Sequence, residues 1–154
     1  MILNSQQKKI NNLYNVKFDD SFIDDQLDNP PYYFLKNWID NNINIFGTKN
    51  TFTINVIDAS VKRKEIENVD FKKYEEKIIY FYEISYLVEF ILYDDNNIIL
   101  ANSIVESKRS TTSSKNISLN DLDLIINNLI YKCLMDFTNK AEELILKHFE
   151  DYIL

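Results

Sequence analysis

Between Ile78 and Leu92 every even-numbered residue is apolar or aromatic: Ile78, Tyr80, Tyr82, Ile84, Tyr86, Val88, Phe90 and Leu92. The odd positions mix Phe81 and Leu87 with Glu83, Ser85 and Glu89. A period of two with one oily side predicts a long strand, buried on one face and partly wet on the other, as in an antiparallel sheet covered on one side. "DDNN" (Asp94 to Asn97) then predicts a turn, and "IILANSIVESKRST" the returning strand of a hairpin.

Upstream, Phe52, Ile54 and Val56 share one parity, whereas Ile57, Ala59 and Val61 take up the other. Such a switch predicts a bulge, or a strand leaving the covered part of its sheet. "KRKEIENVDFKKYEEK" reads as the end of that strand and a solvated loop. Earlier, Phe34, Leu35, Trp38, Ile39, Ile43 and Phe46 recur three and four residues apart. This is the stripe of an amphipathic helix, opened by Pro30-Pro31 and closed by Gly47 as a left-handed cap. Leu13, Val16 and Phe18 predict a short first strand from about Asn12 to Phe22, running into an acidic loop. At the other end Ser118 stands where an N-cap belongs, with Asp121 three residues on. The apolar stripe from Leu122 to Phe149 predicts a terminal helix about 45–50 Å long.

The predicted order is β-α-β-β-β-α in one domain spanning 1–154, with residues 1–31 as the first strand and acidic loop and 32–154 as the core. Two helical stripes and one oily strand face make a two-layer α+β fold: both helices on one side of a four-stranded, mostly antiparallel sheet. If the first two strands are neighbours they run parallel, joined by a right-handed crossover through the first helix.

Composition narrows the function more than the fold. The chain of 154 residues carries a net charge of -7, and nucleic-acid coating requires clustered positive charge, so nucleic acid is not an expected partner. No run reaches the roughly 18–20 apolar residues of a membrane span. "MILNSQQKK" is too short for a secretory leader. Leu3-Asn4-Ser5 resembles the residues before a lipoprotein cysteine, but Gln6 stands in the cysteine's place.

The element order resembles the LPS-assembly lipoprotein LptE and other small envelope domains with two helices over a four-stranded sheet. A narrower likeness starts at Trp38. "NWIDNNINIFG", a strand ending in "IDASV", the "YDDNN" turn, a Ser/Thr-rich segment and a terminal helix are similar to a family of small uncharacterised alphaproteobacterial proteins predicted to be lipoproteins. The resemblance implies a periplasmic or outer-membrane-associated, non-enzymatic protein with a protein or lipid partner in the envelope. A cytoplasmic location is the alternative, since neither leader nor lipobox cysteine is present in this sequence.

Reactive residue types are scarce. His148 is the only histidine and Cys133 the only cysteine, each within the terminal helical stripe, where packing is their expected role. Asp58 and Ser60 share a strand face without the base or glycine-rich turn that an activated serine needs. The acidic segments "FDDSFIDDQLD" and "YDDNN" lack the ligand spacing and central glycine of a calcium loop. No catalytic residue, metal or other cofactor is therefore expected. The binding candidates are two basic runs near strand ends: Lys62, Arg63 and Lys64, and Lys108, Arg109 and Lys115. Brought together in one sheet, they would form an anion-binding rim. The leading expectation is an assembly or interaction module. The alternative is a small-molecule or lipid-binding domain with its pocket between the sheet and the C-terminal helix.

Overall fold

The computed structural model describes residues 1–17, 21–69 and 76–154. The strands are β1 (Ile2–Leu3), β2 (Gln7–Asn12), β3 (Asn44–Ile45), β4 (Thr51–Glu67), β5 (Ile78–Tyr93) and β6 (Ile99–Ser113). The helices are α1 (Pro31–Asn42) and α2 (Leu119–His148). The main sheet has the order β2-β4-β5-β6, and β1 pairs with β3 in a second, two-stranded sheet. β2 runs parallel to β4, and β4-β5-β6 is an antiparallel meander. The expected two-layer α+β architecture is the one observed.

The even positions of β5 carry the core. Tyr82, Ile84, Tyr86, Val88, Phe90 and Leu92 are fully buried, facing the helices. From α2, Phe137 packs against Tyr86, Phe90 and Trp38 with ring centroids 5.8, 6.4 and 6.0 Å away. Phe149 meets Phe52 edge-on at 5.7 Å. Tyr86 brings a polar atom into this region and satisfies it, its hydroxyl donating to the Pro31 carbonyl at 2.7 Å. That bond ties the central strand to the first turn of α1. Over β6 the helix lies close because the strand presents Ser103 and Ser107 to it, and Ser107 Oγ donates to the Cys133 carbonyl at 3.1 Å. Cys133 is buried, with its thiol pushed up mainly by that burial, as a packing residue would be.

The parity switch in β4 is a register shift between Val56 and Asp58. Ile57 is left exposed, while Ala59 and Val61 resume the buried face. The hairpin turn forms where expected. Asp94 Oδ1 accepts from the amides of Asn96 and Ile98, both at 2.8 Å, and Asn97 takes a left-handed φ of 61°. Ser118 Oγ caps α2 by accepting from the Asp121 amide at 3.2 Å.

Two expectations are corrected. The first strand of the main sheet is Gln7–Asn12, earlier than the predicted 12–22. Its sequence, "QKKINN", has no apolar alternation of its own and is held by pairing with the strong strand β4. Of the predicted strand, Phe18 lies outside the described residues, as does part of the loop after β4. As expected, β4 ends within "KRKEIENVDFKKYEEK", at Glu67, where β5 still pairs with it through Ile78.

The second correction concerns Gly47. Helix α1 ends at Asn42, no glycine has a positive φ, and Phe46 is 74% exposed. Residues 44 and 45 leave the helical pattern to pair with Ile2 and Leu3. The absence of a side chain at Gly47 serves a close approach. A Cβ there would lie 2.5 Å from Asn4 Oδ1 and 2.9 Å from the Ser5 backbone nitrogen. The opening residues are held from the other side as well, through Asn4 N to the Tyr152 carbonyl at 2.7 Å and Leu154 N to the Ile2 carbonyl at 2.9 Å.

The fold predicts a large penalty at the centre of its aromatic cluster. Phe137→Ala is expected to cost roughly 3–5 kcal/mol, measured by urea unfolding. A loss under about 1 kcal/mol, the range of exposed sites, contradicts the packing described.

Candidate functional site

The uncovered side of the sheet is built from the other strand parity. Asn11 Nδ2 donates to Asn55 Oδ1 at 3.0 Å, and Asn55 Nδ2 donates to Glu89 Oε1 at 3.1 Å. This polar ladder crosses three strands. Further along the same face, Ser60 pairs with Ser85 and Ser85 with Lys108, and Lys62 pairs with Glu83 and Glu83 with Ser110.

Beside the β4 bulge the chain after β2 is stitched onto the edge of β4. Leu13 N and Tyr14 N donate to the Val56 carbonyl, Ile23 N donates to the Val61 carbonyl, and Arg63 N donates to the Ser21 carbonyl. Between these attachments lies a cavity of about 460 Å³, within the roughly 300–1,000 Å³ common for small-molecule sites. Leu13, Val16, Ile57 and Leu87 supply apolar wall, and Tyr14, Asp58, Ser60, Lys17 and Lys62 supply polar groups. The Phe22 ring lies under both lysines, 4.9 Å from Lys17 Nζ and 5.4 Å from Lys62 Nζ.

One buried carboxylate anchors the arrangement. Asp24 is 3% exposed; its Oδ1 accepts from the Val61 amide at 2.6 Å, and its Oδ2 accepts from the Tyr14 hydroxyl. Burial is the main cause that raises the Asp24 carboxyl above its ordinary value. The Tyr14 and Val61 hydrogen bonds oppose the rise, while Asp58 and Asp25 add to it. Burial, then Asp24 itself, also push the Tyr14 hydroxyl far up, so Tyr14 stays protonated and donates. Ser60 offsets part of that rise, yet its Oγ has no hydrogen-bond partner of good geometry among the described residues. Ser60 is 1% exposed. An unsatisfied buried hydroxyl costs about 1–3 kcal/mol, so this position is one that a bound group would stabilise.

The six basic candidates divide between the two sides of the sheet. Lys62 and Lys64 lie on the uncovered face and line a second cavity of about 270 Å³ with Arg63, Phe81 and Glu83. Lys108 is on the same face and pairs with Glu106 at 3.5 Å. Arg63 stacks over Tyr80 at 4.6 Å, and Lys115 bonds Glu65 at 2.7 Å. Arg109 reaches α2, its Nε and Nη2 lying 2.6 and 3.1 Å from the two Asp136 carboxylate oxygens. That pair raises the arginine and lowers the aspartate. Among the described residues Lys62 and Lys64 have no carboxylate partner, while Lys108, Arg109 and Lys115 have one each.

Asp58 and Ser60 are not joined by His148, whose Nδ1 lies 3.3 Å from Ser103 Oγ on β6. No group of three acidic, histidine or cysteine side chains is placed to hold a metal among the described residues. The space beneath the middle of α2, the alternative pocket position, is filled by Tyr86, Phe90, Cys133 and Phe137, all fully buried. A groove of about 170 Å³ remains at its margin, between Thr111 and Leu129. Sequence reasoning named Lys62 as a candidate, considered Asp58 and Ser60 but set them aside, and missed Tyr14, Lys17, Phe22 and Asp24. Leu13, Val16 and the acidic run were the available signal, misread as a strand and a solvated loop.

No protein family matches the chain, and no curated protein does. Among solved structures, a minor lipoprotein from Acinetobacter baumannii is similar, with 11% identity over 93% of this chain and 92% of that one and a TM-score of 0.48. A likeness of that size carries no functional weight. No helix among the described residues is long and apolar enough to cross a membrane.

The Asp24 geometry predicts a pH dependence. A carboxyl raised by folding contributes stability that is fully present below its ordinary value of 3.8 and lost as the pH climbs through the raised value. Asp24→Asn has no proton to lose. Wild-type stability relative to that variant is therefore expected to fall as the pH rises above the ordinary aspartate value of 3.8, as measured by urea unfolding at each pH. A flat or rising difference contradicts the burial of the charge.

Proposed function

We propose that the chain is a non-enzymatic binding and assembly module of the bacterial envelope, with the uncovered side of its sheet as the working side. The observation that carries this reading is the recess beside the β4 bulge. There, exposed apolar side chains, two lysines and a Ser60 hydroxyl, none of the three polar groups with a carboxylate or hydrogen-bond partner among the described residues, converge on one cavity. A solvated sheet face has no physical need for this combination, since each component is more stable when covered. The separation of His148 from Asp58 and Ser60 agrees with a role in binding instead of bond-making. The envelope location, and the LptE-like assembly role within it, rest on the resemblance of sequence motifs and element order.

The test is made in the native host. Cell fractionation is expected to recover the protein with the envelope. A photoreactive residue replacing Ile104, exposed on the uncovered face, is expected to give a discrete cross-linked product. One replacing Leu124, exposed on α2, is expected to give none. A purely cytosolic protein, or products from Leu124 alone, overturns the reading.

A further inference from the structure

The recess has a polarity along β4 that specifies more than a generic ligand. Lys62 and Lys17 stand at one end over Phe22. Asp58 stands four residues back along the strand, roughly 13 Å from Lys62 at the rise of an extended chain. Ser60 lies midway, buried and without a hydrogen-bond partner of good geometry among the described residues. The walls include three apolar side chains left open to solvent: Leu13, 58% exposed, Val16, 41%, and Ile57, 40%. Leu87 pairs with Asp58 across the strands and closes the floor.

We infer that this recess binds a single-chain amphiphile with an anionic head, carboxylate or phosphate. The head sits between Lys17 and Lys62 and accepts from the Ser60 hydroxyl. The chain covers Leu13, Val16, Ile57 and Leu87. Each part supplies what the described residues do not. The two ammonium groups gain a counter-charge, the hydroxyl gains an acceptor, and the apolar wall leaves water. Asp58 repels a head placed at the wrong end and so sets the direction of the chain. A head group alone would leave the apolar wall uncovered, and a cationic head would meet the lysines. The lysine pair also stands out against a net charge of -7 for the whole chain, so the anion preference is local. This inference rests on the binding-module reading and names the ligand of its site.

The purified full chain is titrated calorimetrically with dodecanoate and with dodecyl phosphate, below their micellar concentrations. Each is expected to bind one to one. Dodecyltrimethylammonium, with the same tail and the opposite head, is expected to bind at least about tenfold more weakly. Butyrate and inorganic phosphate are expected not to bind at the same concentrations. The double variant Lys17→Gln/Lys62→Gln, altered at exposed positions, is expected to weaken the anionic probes by about tenfold while keeping the wild-type circular dichroism spectrum. Ile57→Trp, which fills the recess, is expected to abolish binding. Equal affinity for the cationic probe, equal affinity for the chainless anions, or binding unaffected by Ile57→Trp overturns the inference. If the amphiphiles fail to bind while the Ile104 cross-link persists in cells, the ligand class is wrong and the module reading stands.

Discussion

The fold depends on one contact, the burial of Phe137 of α2 and of Phe149, the residue that caps its C-terminus, against the aromatic face of β4 and β5. Tyr86, Phe90 and Phe52 are fully buried there, and their ring packing with these two phenylalanines spans the width of the central strand pair. Fully burying one such side chain is worth about 1.5–3 kcal/mol before packing terms. A cluster of five therefore sets the scale of what the domain gains on folding. Helix α1 joins the same cluster through Trp38, and the Tyr86 hydroxyl fixes its entry. Once that seal is made, the two faces of the sheet have different fates, one dry and one wet.

The ends of the chain are secured by backbone pairing as well as by apolar contact, Leu3 being fully buried in the core. β1 lies between β3 and the C-terminal residues, taking bonds from Asn44 and Phe46 on one side and from Leu154 on the other. The lone glycine serves that junction, where Asn4 and Ser5 pass too close to admit a side chain. β2 has little apolar content and depends on its parallel pairing with β4. These marginal segments take their order from the strong strands beside them.

The β4 bulge links the architecture to the candidate site. By changing the parity of the strand it keeps Ala59 and Val61 under the helices and turns Ile57 outward. It also leaves Asp58 and Ser60 on the uncovered side, beneath the segment that Tyr14 and Asp24 lock to the strand edge. Asp24 is costly to bury as a charge, but its bonds from Val61 and Tyr14 hold Tyr14 and Asp24 at the strand edge. A recess with lysines at its rim is the consequence.

Much of this was legible in the amino-acid order. Alternation in β5, the parity break in β4, the "DDNN" turn, the Ser118 cap and the long stripe of α2 determined the two-layer α+β fold, because each rests on period or local hydrogen-bonding chemistry. Lys62 was also visible as a candidate, whereas Ser60 was weighed and set aside for want of a base. What only the tertiary structure decided involves partners distant along the chain. "QKKINN" becomes a strand because β4 pairs with it, Gly47 is small because residues 4 and 5 cross it, and Asp24 is buried because Val61 and Tyr14 meet it. The division of the six basic residues between faces follows from strand register, and register is a property of pairs of strands that no single stretch of sequence contains.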